Sequence, residues 1–322
     1  MEHAIRFHQI GGADVLKWET VTVGEPGPGE ARVRHVAVGL NMADTYFRSG
    51  MYPASLPNGI GMEGAGIVEA VGSGVSNVAV GDRVAYTGSP LGAYSTARVM
   101  PAGVLLKLPE AISFETAAAM MMRGLSAAYL IRKIWPLRKG DSVVFHAAAG
   151  GVGLIFCQWA KLLGITVIGT VSNEAKAKVA RAHGCEHVLT YKDFPRHVRE
   201  ITGGSGVPVV FDGVGKDTWL QSLDCLKRRG LLCIMGTSSG AVPPVDPMLL
   251  VTKGSLYLTR PALADYVADP AERNELVSEL FGHVAEGRIS IEINQHYPLE
   301  NAVQAHRDLE ARKTTGSSIF VV

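Results

Sequence analysis

The first hundred residues alternate between apolar and polar positions in short runs. Residues 31–40, ARVRHVAVGL, show this alternation and follow EPGPGE at 25–30, a cluster of turn residues. Residues 64–75 and 79–88 repeat the pattern beside glycine-rich or Gly-Asp turns. A period of two is typical of strands with one buried face, and closely spaced short strands with many glycines predict a small β-barrel.

From about residue 113 the pattern changes to alternating helices and strands. A helix is predicted from Ser113 to about Leu130, and residues 142–171 follow the order strand, glycine turn, helix, strand. The alternation continues with strands at 206–215, 231–236 and 254–259 and a helix over about 217–228. Repeated βα units favour a parallel sheet with helices on both faces, the doubly wound α/β class.

The end of the chain returns to a mixed pattern. Leu276, Leu280 and Val284 recur at helical spacing, and a strand at 289–293, a helix over about 300–311 and a last strand follow. Because the doubly wound region is central, we expect the two ends of the chain to form one discontinuous domain.

Composition narrows the class of protein. The chain has 322 residues, 47% of them hydrophobic, which at roughly 150 residues per domain suggests about two domains. The net charge of +1 gives no bulk attraction to nucleic acid or an anionic membrane. No apolar run is long enough to span a membrane, and no secretory signal is evident. The four cysteines lack CxxC spacing, so we expect a cytoplasmic protein without a disulfide framework.

A glycine-rich turn at 147–153, AAAGGVG, predicts a dinucleotide site. It follows a strand and opens a helix, and from Ala148 it has the form A-x-G-x-x-G. Gly150 lets the backbone approach a pyrophosphate, Gly153 permits close packing of helix on strand, and the helix N-terminus offers amide groups to the phosphates.

The end of the next strand favours NADP over NAD. An NAD site needs an acid there to accept from the ribose 2′-hydroxyl, whereas this strand ends in Ser172 and Asn173 with Lys176 close by. A small hydroxyl and an ammonium group suit a 2′-phosphate. Glu174 leaves the alternative open, because it would favour NAD if it turned inward.

Several blocks of the sequence together resemble one family. They are GLNMADTYFRSGMYP at 39–53, GMEGAGIVEAVGSGV at 61–75, GDRVAY at 81–86, HAAAGGVGLIFCQWAKLLG at 146–164, SLDCLKRRG at 222–230 and GSLYLTRP at 254–261. On these blocks the chain resembles, over its whole length, the zeta-crystallin-like NADPH:quinone oxidoreductases of the medium-chain dehydrogenase/reductase superfamily.

The resemblance implies an architecture and a set of site residues. It implies a GroES-like catalytic domain over 1–122, completed by 263–322, a Rossmann NADP-binding domain over 123–262, and a cleft between them. The implied NADPH contacts are Met42, Asp44, Tyr46, Tyr129, Gly150, Gly151, Val152, Gly153, Ser172, Asn173, Lys176, Tyr191, Gly236, Thr237 and Arg312. It also implies a homodimer, and an apolar edge strand at 254–259 is suited to pairing with its own copy.

The ligands of the zinc-dependent relatives are absent. Asn41 and Met62 stand where the resemblance places the first Cys and the His of those enzymes, and no cysteine precedes Cys157. His146 beside the glycine turn is more typical of a structural residue than of a metal ligand. Without a Lewis acid the site would suit acceptors that delocalise charge, such as quinones.

Three residues near the start are candidates for catalysis. Asn41 and Tyr46 can donate to an acceptor oxygen, and Tyr52 can stack on a flat ring, although Asn41 can instead satisfy loop backbone and the tyrosines can simply pack. The leading hypothesis is an NADPH-dependent quinone reductase. An enone or alkenal reductase is the alternative enzyme, and a non-catalytic NADPH- or RNA-binding protein is the alternative of another class.

Overall fold

The structure, a computed structural model, describes residues 1–88 and 90–322. The chain divides into two compact units, the first formed by Met1–Arg123, Phe281–Gly287 and Ile291–Val322 and the second by Gly124–Leu280 and Arg288–Ser290. The first unit thus draws on both ends of the chain. Residues 263–280 group with the second unit, and the limits of the functional domains stay a prediction.

The strands, in chain order, are β1 (Glu2–Phe7), β2 (Leu16–Val21), β3 (Glu30–Leu40), β4 (Asn58–Gly59), β5 (Glu63–Val71), β6 (Arg83–Thr87), β7 (Ala97–Pro101), β8 (Leu106–Lys107), β9 (Ser142–His146), β10 (Thr166–Val171), β11 (His187–Thr190), β12 (Val207–Asp212), β13 (Leu226–Ile234), β14 (Tyr257–Thr259), β15 (Ile293–Pro298) and β16 (Ser317–Val321).

The α-helices are α1 (Met42–Ser49), α2 (Phe114–Arg132), α3 (Gly151–Leu162), α4 (Glu174–Ala182), α5 (Phe194–Ile201), α6 (Trp219–Ser222), α7 (Pro247–Thr252), α8 (Leu263–Tyr266), α9 (Pro270–Ala285) and α10 (Ala302–Glu310). No helix in the described part of the chain combines the length and apolar character that a membrane span requires.

The first unit is built on sheets that curve around an apolar core. Its large sheet has the order β15-β16-β3-β5-β6-β8, with β7 on β3, and a small sheet has the order β2-β1-β4. The pairs are antiparallel except for β15 with β16. The inward positions of these strands, such as Val33, Val68 and Val84, form one buried cluster. The alternation seen in residues 31–40 thus corresponds to a half-buried strand, as predicted.

A neutral histidine is sealed in this core. His35 is 3% exposed; its Nδ1 lies 2.7 Å from the carbonyl oxygen of Ser95 and its Nε2 lies 2.7 Å from the hydroxyl of Tyr86. Nδ1 is therefore the protonated nitrogen, and Nε2 accepts from Tyr86. Burial lowers the pKa of His35 to about 4.

We expect His35 to make the protein acid-sensitive. The unfolded chain binds a proton at this residue below about pH 6.5 and the folded chain only near pH 4, so the contribution to stability is complete above pH 6.5 and falls as the pH drops toward 4. The loss amounts to about 3 kcal/mol. Urea unfolding across this range should show a flatter pH dependence for His35→Gln than for the unmodified protein. Parallel pH curves for the two proteins would contradict the assignment.

The second unit is a doubly wound parallel sheet. Its strand order is β11-β10-β9-β12-β13-β14, and neighbouring strands run parallel. Chain order reverses direction between β9 and β12, so the carboxyl ends of these two strands flank the switch point where such sheets bind ligands. The parallel sheet predicted for the centre of the chain is confirmed.

Three of the sequence assignments were wrong in detail. The helix expected over 217–228 ends early, because β13 begins at Leu226 and carries the polar run 227–229 along an irregular register. The strand expected at 254–259 starts at Tyr257, since Gly254 and Ser255 both have left-handed backbones. The strand expected at 289–293 starts only at Ile293.

The last of these errors is explained by a side chain of α3. The amide of Ser290 donates to Oε1 of Gln158 at 2.8 Å, and Nε2 of Gln158 returns a bond to the carbonyl oxygen of Ser290 at 3.0 Å. The backbone here bonds to a side chain of α3 and not to a neighbouring strand. An alternating sequence could not reveal this partner, which is 132 residues away.

Candidate active site

The glycine turn joins β9 to α3 and presents the first amides of the helix. Ala147 has a left-handed backbone with φ 56°, and the N–H of Gly150 donates to its carbonyl oxygen at 2.8 Å. Gly150 is exposed and precedes the helix with an extended backbone. A Cβ on Gly153 would stand 2.6 Å from the carbonyl oxygen of Ala148. The turn therefore requires glycine at 153, whereas at 150 the backbone dihedrals suit any residue and an added Cβ would lie 3.2 Å from the carbonyl oxygen of Ala147.

Neighbouring strands hold the turn in place. The amide of Ala147 donates to the hydroxyl of Tyr191 at 3.2 Å, and the amide of Ala148 donates to the carbonyl oxygen of Thr170 at 3.1 Å. Tyr191 directly follows β11. The structure thus brings this predicted cofactor residue to the glycine turn.

A buried polar network lies beneath the ends of β9, β10 and β12. His146 contacts the hydroxyls of Thr170 at 2.7 Å and Ser222 at 2.8 Å. Asp212 accepts from the amides of Val214 and Gly215, each at 2.9 Å. Both His146 and Asp212 have no exposed surface, and burial lowers the pKa of His146. His146 therefore connects the end of β9 to β10 and to α6, in agreement with the structural role expected for it.

The end of β10 has the polar character that the sequence suggested. Ser172 and Asn173 are exposed, and Oδ1 of Asn173 accepts from the backbone amide of Lys176 at 2.9 Å, which caps α4. The carboxylate of Glu174 bonds to Arg181 at 2.7 Å. Glu174 is thus engaged along its own helix, so this structure does not favour the NAD alternative that it raised.

A second group of predicted residues follows β13. A Cβ on Gly236 would lie 2.8 Å from the carbonyl oxygen of Gly213, so the chain can pass only because the residue is a glycine. The hydroxyl of the next residue, Thr237, is buried and makes no hydrogen bond with any of residues 1–88 or 90–322. A buried, unsatisfied hydroxyl is a position where a ligand group can supply the missing partner.

Two further predicted contacts belong to other elements of the chain. Tyr129 in α2 is buried and stacks on Tyr266 with a centroid distance of 4.5 Å. Arg312 follows α10 in the first unit and has a left-handed backbone with φ 58°. Tyr129 belongs to the second unit and Arg312 to the first. Their roles as cofactor contacts stay predictions.

The block around α1 gathers the candidate acceptor residues. Asn41 is 5% exposed, and its Nδ2 donates to Oε1 of Glu63 at 2.6 Å. Met42 is half-buried in the first turn of the helix. Tyr46 and Tyr52 meet edge to face with centroids 5.3 Å apart. The structure thus brings Asn41, Tyr46 and Tyr52 into one short stretch of the first unit.

Asp44 is a positioning group in this structure. It is fully buried, and its Oδ2 accepts from the amide of Asn41 at 2.8 Å and from the hydroxyl of Tyr94 at 2.9 Å. His306 lies 3.3 Å from the same hydroxyl. Burial raises the pKa of Asp44 to about 7 and lowers that of His306 to about 3. These contacts fix Asn41 and α1, and direct contact of Asp44 with a cofactor stays a prediction.

Sequence reasoning missed the ion pair that holds Asn41. Glu63 has no exposed surface; it accepts from Asn41 and from the amide of Met122 at 2.6 Å, and its Oε1 lies 3.5 Å from Nη1 of Arg123. Arg123 also donates to the carbonyl oxygens of Ala119 and Leu40. Burial raises the pKa of Glu63, and Arg123 opposes that shift. The sequence did offer a signal for this ion pair, because Glu63 and Arg123 each stand within an apolar run.

The sequence matches two family models and several known proteins over most or all of its length. Residues 27–110 match the family model described as alcohol dehydrogenase GroES-like domain, and residues 151–281 match that described as zinc-binding dehydrogenase. The chain is 51% identical to a quinone oxidoreductase of Pseudomonas aeruginosa, with 100% of both chains covered. It is 43% identical to a 2-haloacrylate reductase of a Burkholderia species, covering 100% of this chain and 99% of the relative.

The solved structures agree with these sequences. A crystal structure of Escherichia coli quinone oxidoreductase complexed with NADPH has a TM-score of 0.98 and 48% identity, covering 99% of this chain and 100% of that one. The chain belongs to the quinone oxidoreductase family. Membership in this family, within the medium-chain dehydrogenase/reductase superfamily, confirms the predicted combination of a GroES-like domain and a Rossmann-type sheet.

The part of the chain that the structure describes does not have a donor set that fits zinc. Asn41 and Met62 stand where the resemblance to the zinc-dependent enzymes places Cys and His ligands, and all four cysteines are buried in the second unit. Across residues 1–88 and 90–322, no group of three His, Cys, Asp or Glu side chains could hold a metal ion.

Proposed function

We propose that this protein is an NADPH-dependent, zinc-independent reductase of quinones. The observation that carries the proposal is the exposed N-terminus of α3 behind a glycine turn, beside a strand end that offers Ser172 and Lys176 and turns Glu174 away. The names of the full-length relatives and the NADPH complex of one of them support the same conclusion. When bound, NADPH supplies the reducing equivalents, as a hydride or as electrons.

The residues of the second unit fit the parts of such a cofactor. The amides at Gly151 and Val152 suit the pyrophosphate, because the first turn of a helix leaves its N–H groups unpaired. Ser172 and Lys176 suit the 2′-phosphate. The buried hydroxyl of Thr237 lacks a hydrogen-bond partner in the described chain, and a polar group of the cofactor would satisfy it.

Lys176→Ala should weaken NADPH binding roughly ten- to a hundred-fold and leave NADH binding almost unchanged. The reason is the loss of one charge-assisted bond to the 2′-phosphate, which contributes about 1.5–3 kcal/mol. Titration of each cofactor against the two proteins measures the effect. Lys178→Ala, on the same helix but more exposed, is the matched control and should behave like the unmodified protein. Equal weakening of both cofactors by Lys176→Ala would contradict a phosphate contact.

The α1 block suits a flat, charge-delocalising acceptor. Glu63 holds one amide hydrogen of Asn41 and thereby orients the side chain, which retains a second hydrogen for an acceptor oxygen. Tyr46 and Tyr52 offer ring surfaces and hydroxyls. None of the three is a strong acid, so the protein would orient the acceptor and exclude water and would leave the redox chemistry to the cofactor.

Asn41→Ala and Tyr46→Phe should each lower kcat/KM for a quinone by about two- to twelve-fold, the effect of one neutral hydrogen bond of roughly 0.5–1.5 kcal/mol. Cofactor affinity should change little. Steady-state kinetics give both values, and thermal unfolding checks that each variant is folded. A thousand-fold collapse in a folded variant would mean that the residue is an essential proton donor.

A panel of acceptors tests the proposed function. The purified protein should oxidise NADPH rapidly with 1,4-quinones and slowly with cyclic enones and 2-haloacrylates. Faster reduction of the alkenes would favour the enone reductase alternative, for which the 43% identical 2-haloacrylate reductase is the supporting observation. Binding of NADPH without turnover of any acceptor would favour a non-catalytic role.

The homodimer and the cytoplasmic location stay predictions. The edge strand β14 is shorter than expected, but it ends the sheet and exposes Tyr257. An exposed strand edge with an aromatic side chain is suited to pairing across a two-fold axis.

A further inference from the structure

One residue of the candidate site, Asn41, is held between two buried acids. Its backbone amide donates to Oδ2 of Asp44 at 2.8 Å, and its Nδ2 donates to Oε1 of Glu63 at 2.6 Å. Both acids have no exposed surface. Asn41 is also the N-cap of α1, and Asp44 is the third residue of that helix. The two acids together therefore fix the side chain that we place at the acceptor and the start of the helix that carries Tyr46.

The charges of the two acids are compensated differently. Oε1 of Glu63 lies 3.5 Å from Nη1 of Arg123, so this carboxylate faces a cation. Asp44 accepts from neutral donors, the amide of Asn41 and, at 2.9 Å, the hydroxyl of Tyr94. Its other oxygen, Oδ1, is buried and makes no hydrogen bond with any of residues 1–88 or 90–322. Because burial disfavours an uncompensated charge, Asp44 is the acid of this pair that a proton suits better, and Oδ1 is the atom open to it.

The groups behind Asp44 keep their charge in the neutral pH range. Nδ1 of His306 lies 3.5 Å from Nη1 of Arg48, so Nδ1 accepts and the ring proton is on Nε2. Nε2 donates to the oxygen of Tyr94 at 3.3 Å, and the hydroxyl of Tyr94 donates to Asp44. Arg48 is paired with Glu310. Burial lowers the pKa of His306 to about 3 and raises that of Tyr94 well above its usual range. In this series of contacts, Asp44 is therefore the group that titrates near neutral pH.

The charge of Asp44 controls the strength of its hydrogen bonds. Burial raises its pKa to about 7, and the bonds from Asn41 and Tyr94 limit that rise because they stabilise the charged form. Hydrogen bonds to an ionised acceptor are roughly twice as strong as those to a neutral one. A proton on Asp44 therefore weakens the bond that holds the amide of Asn41 and, with it, the start of α1.

We propose that Asp44 is a positioning residue whose charged form holds Asn41 and α1 in place for the acceptor, and that a proton on Asp44 loosens them and slows the reduction of quinones. This role rests on the proposed function, because it concerns the acceptor half of that site. It predicts a rate that rises with pH. A reaction limited by protonation of the reduced quinone would show the opposite dependence, a rate that falls as the pH rises.

The pH profile of kcat/KM for 1,4-benzoquinone tests this role. The value for the unmodified protein divided by that for Asp44→Asn should rise roughly three- to ten-fold between pH 5.5 and 8.5, with a midpoint near pH 7. The quotient removes effects of pH that the two proteins share. Asp14 is an exposed acid of the same unit that pairs with Arg307, so Asp14→Asn is the matched control and should follow the unmodified protein at every pH. A quotient for Asp44→Asn that stays constant over this range would overturn the proposed role.

Tyr94→Phe distinguishes titration of Asp44 from a general loss of structure. It keeps the buried ring and removes the hydroxyl that stabilises the charged form of Asp44, so the midpoint of the profile should move up by about one pH unit or more. Tyr297→Phe removes another hydroxyl that donates to an acid, Asp308, and is the matched control, with no shift expected. An unshifted midpoint in Tyr94→Phe would overturn the assignment to Asp44, even if Asp44→Asn fails to fold.

Infrared spectroscopy follows the same proton without turnover. The difference spectrum between pH 5.5 and 8.5 should contain the C=O band of a protonated carboxylic acid, which should persist in Asp14→Asn and be missing from Asp44→Asn. A titrating band in a protein that reduces no quinone would refute the proposed function and leave only the buried proton. Reduction of quinones without such a band would overturn the role of Asp44 and leave the proposed function standing.

Discussion

Gly150→Ala should lose NADPH affinity while keeping its stability, and Gly153→Ala should lose both. A Cβ on Gly150 has one close neighbour, the carbonyl oxygen of Ala147 at 3.2 Å, and the backbone there is extended. A Cβ on Gly153 would stand 2.6 Å from the carbonyl oxygen of Ala148. The free energy of unfolding should therefore change by less than about 1 kcal/mol for Gly150→Ala and fall by about 1–3 kcal/mol or more for Gly153→Ala.

The loss of affinity in Gly150→Ala has a different origin. The added methyl group projects from an exposed turn at the N-terminus of α3, where we expect the pyrophosphate to bind. Losing even one charge-assisted bond there should weaken NADPH roughly ten- to a hundred-fold. Calorimetric titration and urea unfolding on the same samples separate the two effects. A Gly150→Ala protein that binds NADPH as tightly as the unmodified one would mean that the cofactor does not use this turn.

Arg123→Met should destabilise the first unit by roughly 3–5 kcal/mol, because it leaves the carboxylate of Glu63 buried without a cation. Glu63 has no exposed surface and Arg123 is 8% exposed. Arg132 and Glu279 form an ion pair at the surface, so Arg132→Met is the matched control and should cost about 0–1 kcal/mol. Urea unfolding at neutral pH measures both.

A second variant identifies the cause. Glu63→Gln combined with Arg123→Met removes both charges, and it should recover part of the stability lost in Arg123→Met because no unpaired charge remains. Destabilisation of Arg123→Met no greater than that of Arg132→Met would contradict the importance of the buried pair.

The elements with strong local patterns could be predicted from the sequence. Residues 142–171 place two buried strands and a helix around a turn in which Gly153 is sterically required, and the structure has β9, α3 and β10 there. Ser172, Asn173 and Lys176 are found together because a single turn connects them, and Asn173 caps the helix that carries Lys176. Local chemistry was sufficient at these positions.

What the sequence did not reveal depends on distant partners. Glu63 and Arg123 are 60 residues apart and meet only because β5 and α2 fold together. The same holds for Gln158, which binds Ser290 and prevents the strand expected at 289–293. The direction in which Glu174 turns depended on Arg181, one of several cations within reach along the helix. In each case a side chain has several possible partners, and the composition of its own segment does not determine which one it contacts.

Metal-independent reduction of quinones by NADPH is tested most directly by the rate of NADPH oxidation by 1,4-benzoquinone after exhaustive dialysis of the protein against a chelator. We expect full activity with NADPH, much lower activity with NADH, and no gain on adding zinc. No oxidation above the uncatalysed rate, or activity that disappears on dialysis and returns with zinc, would contradict it.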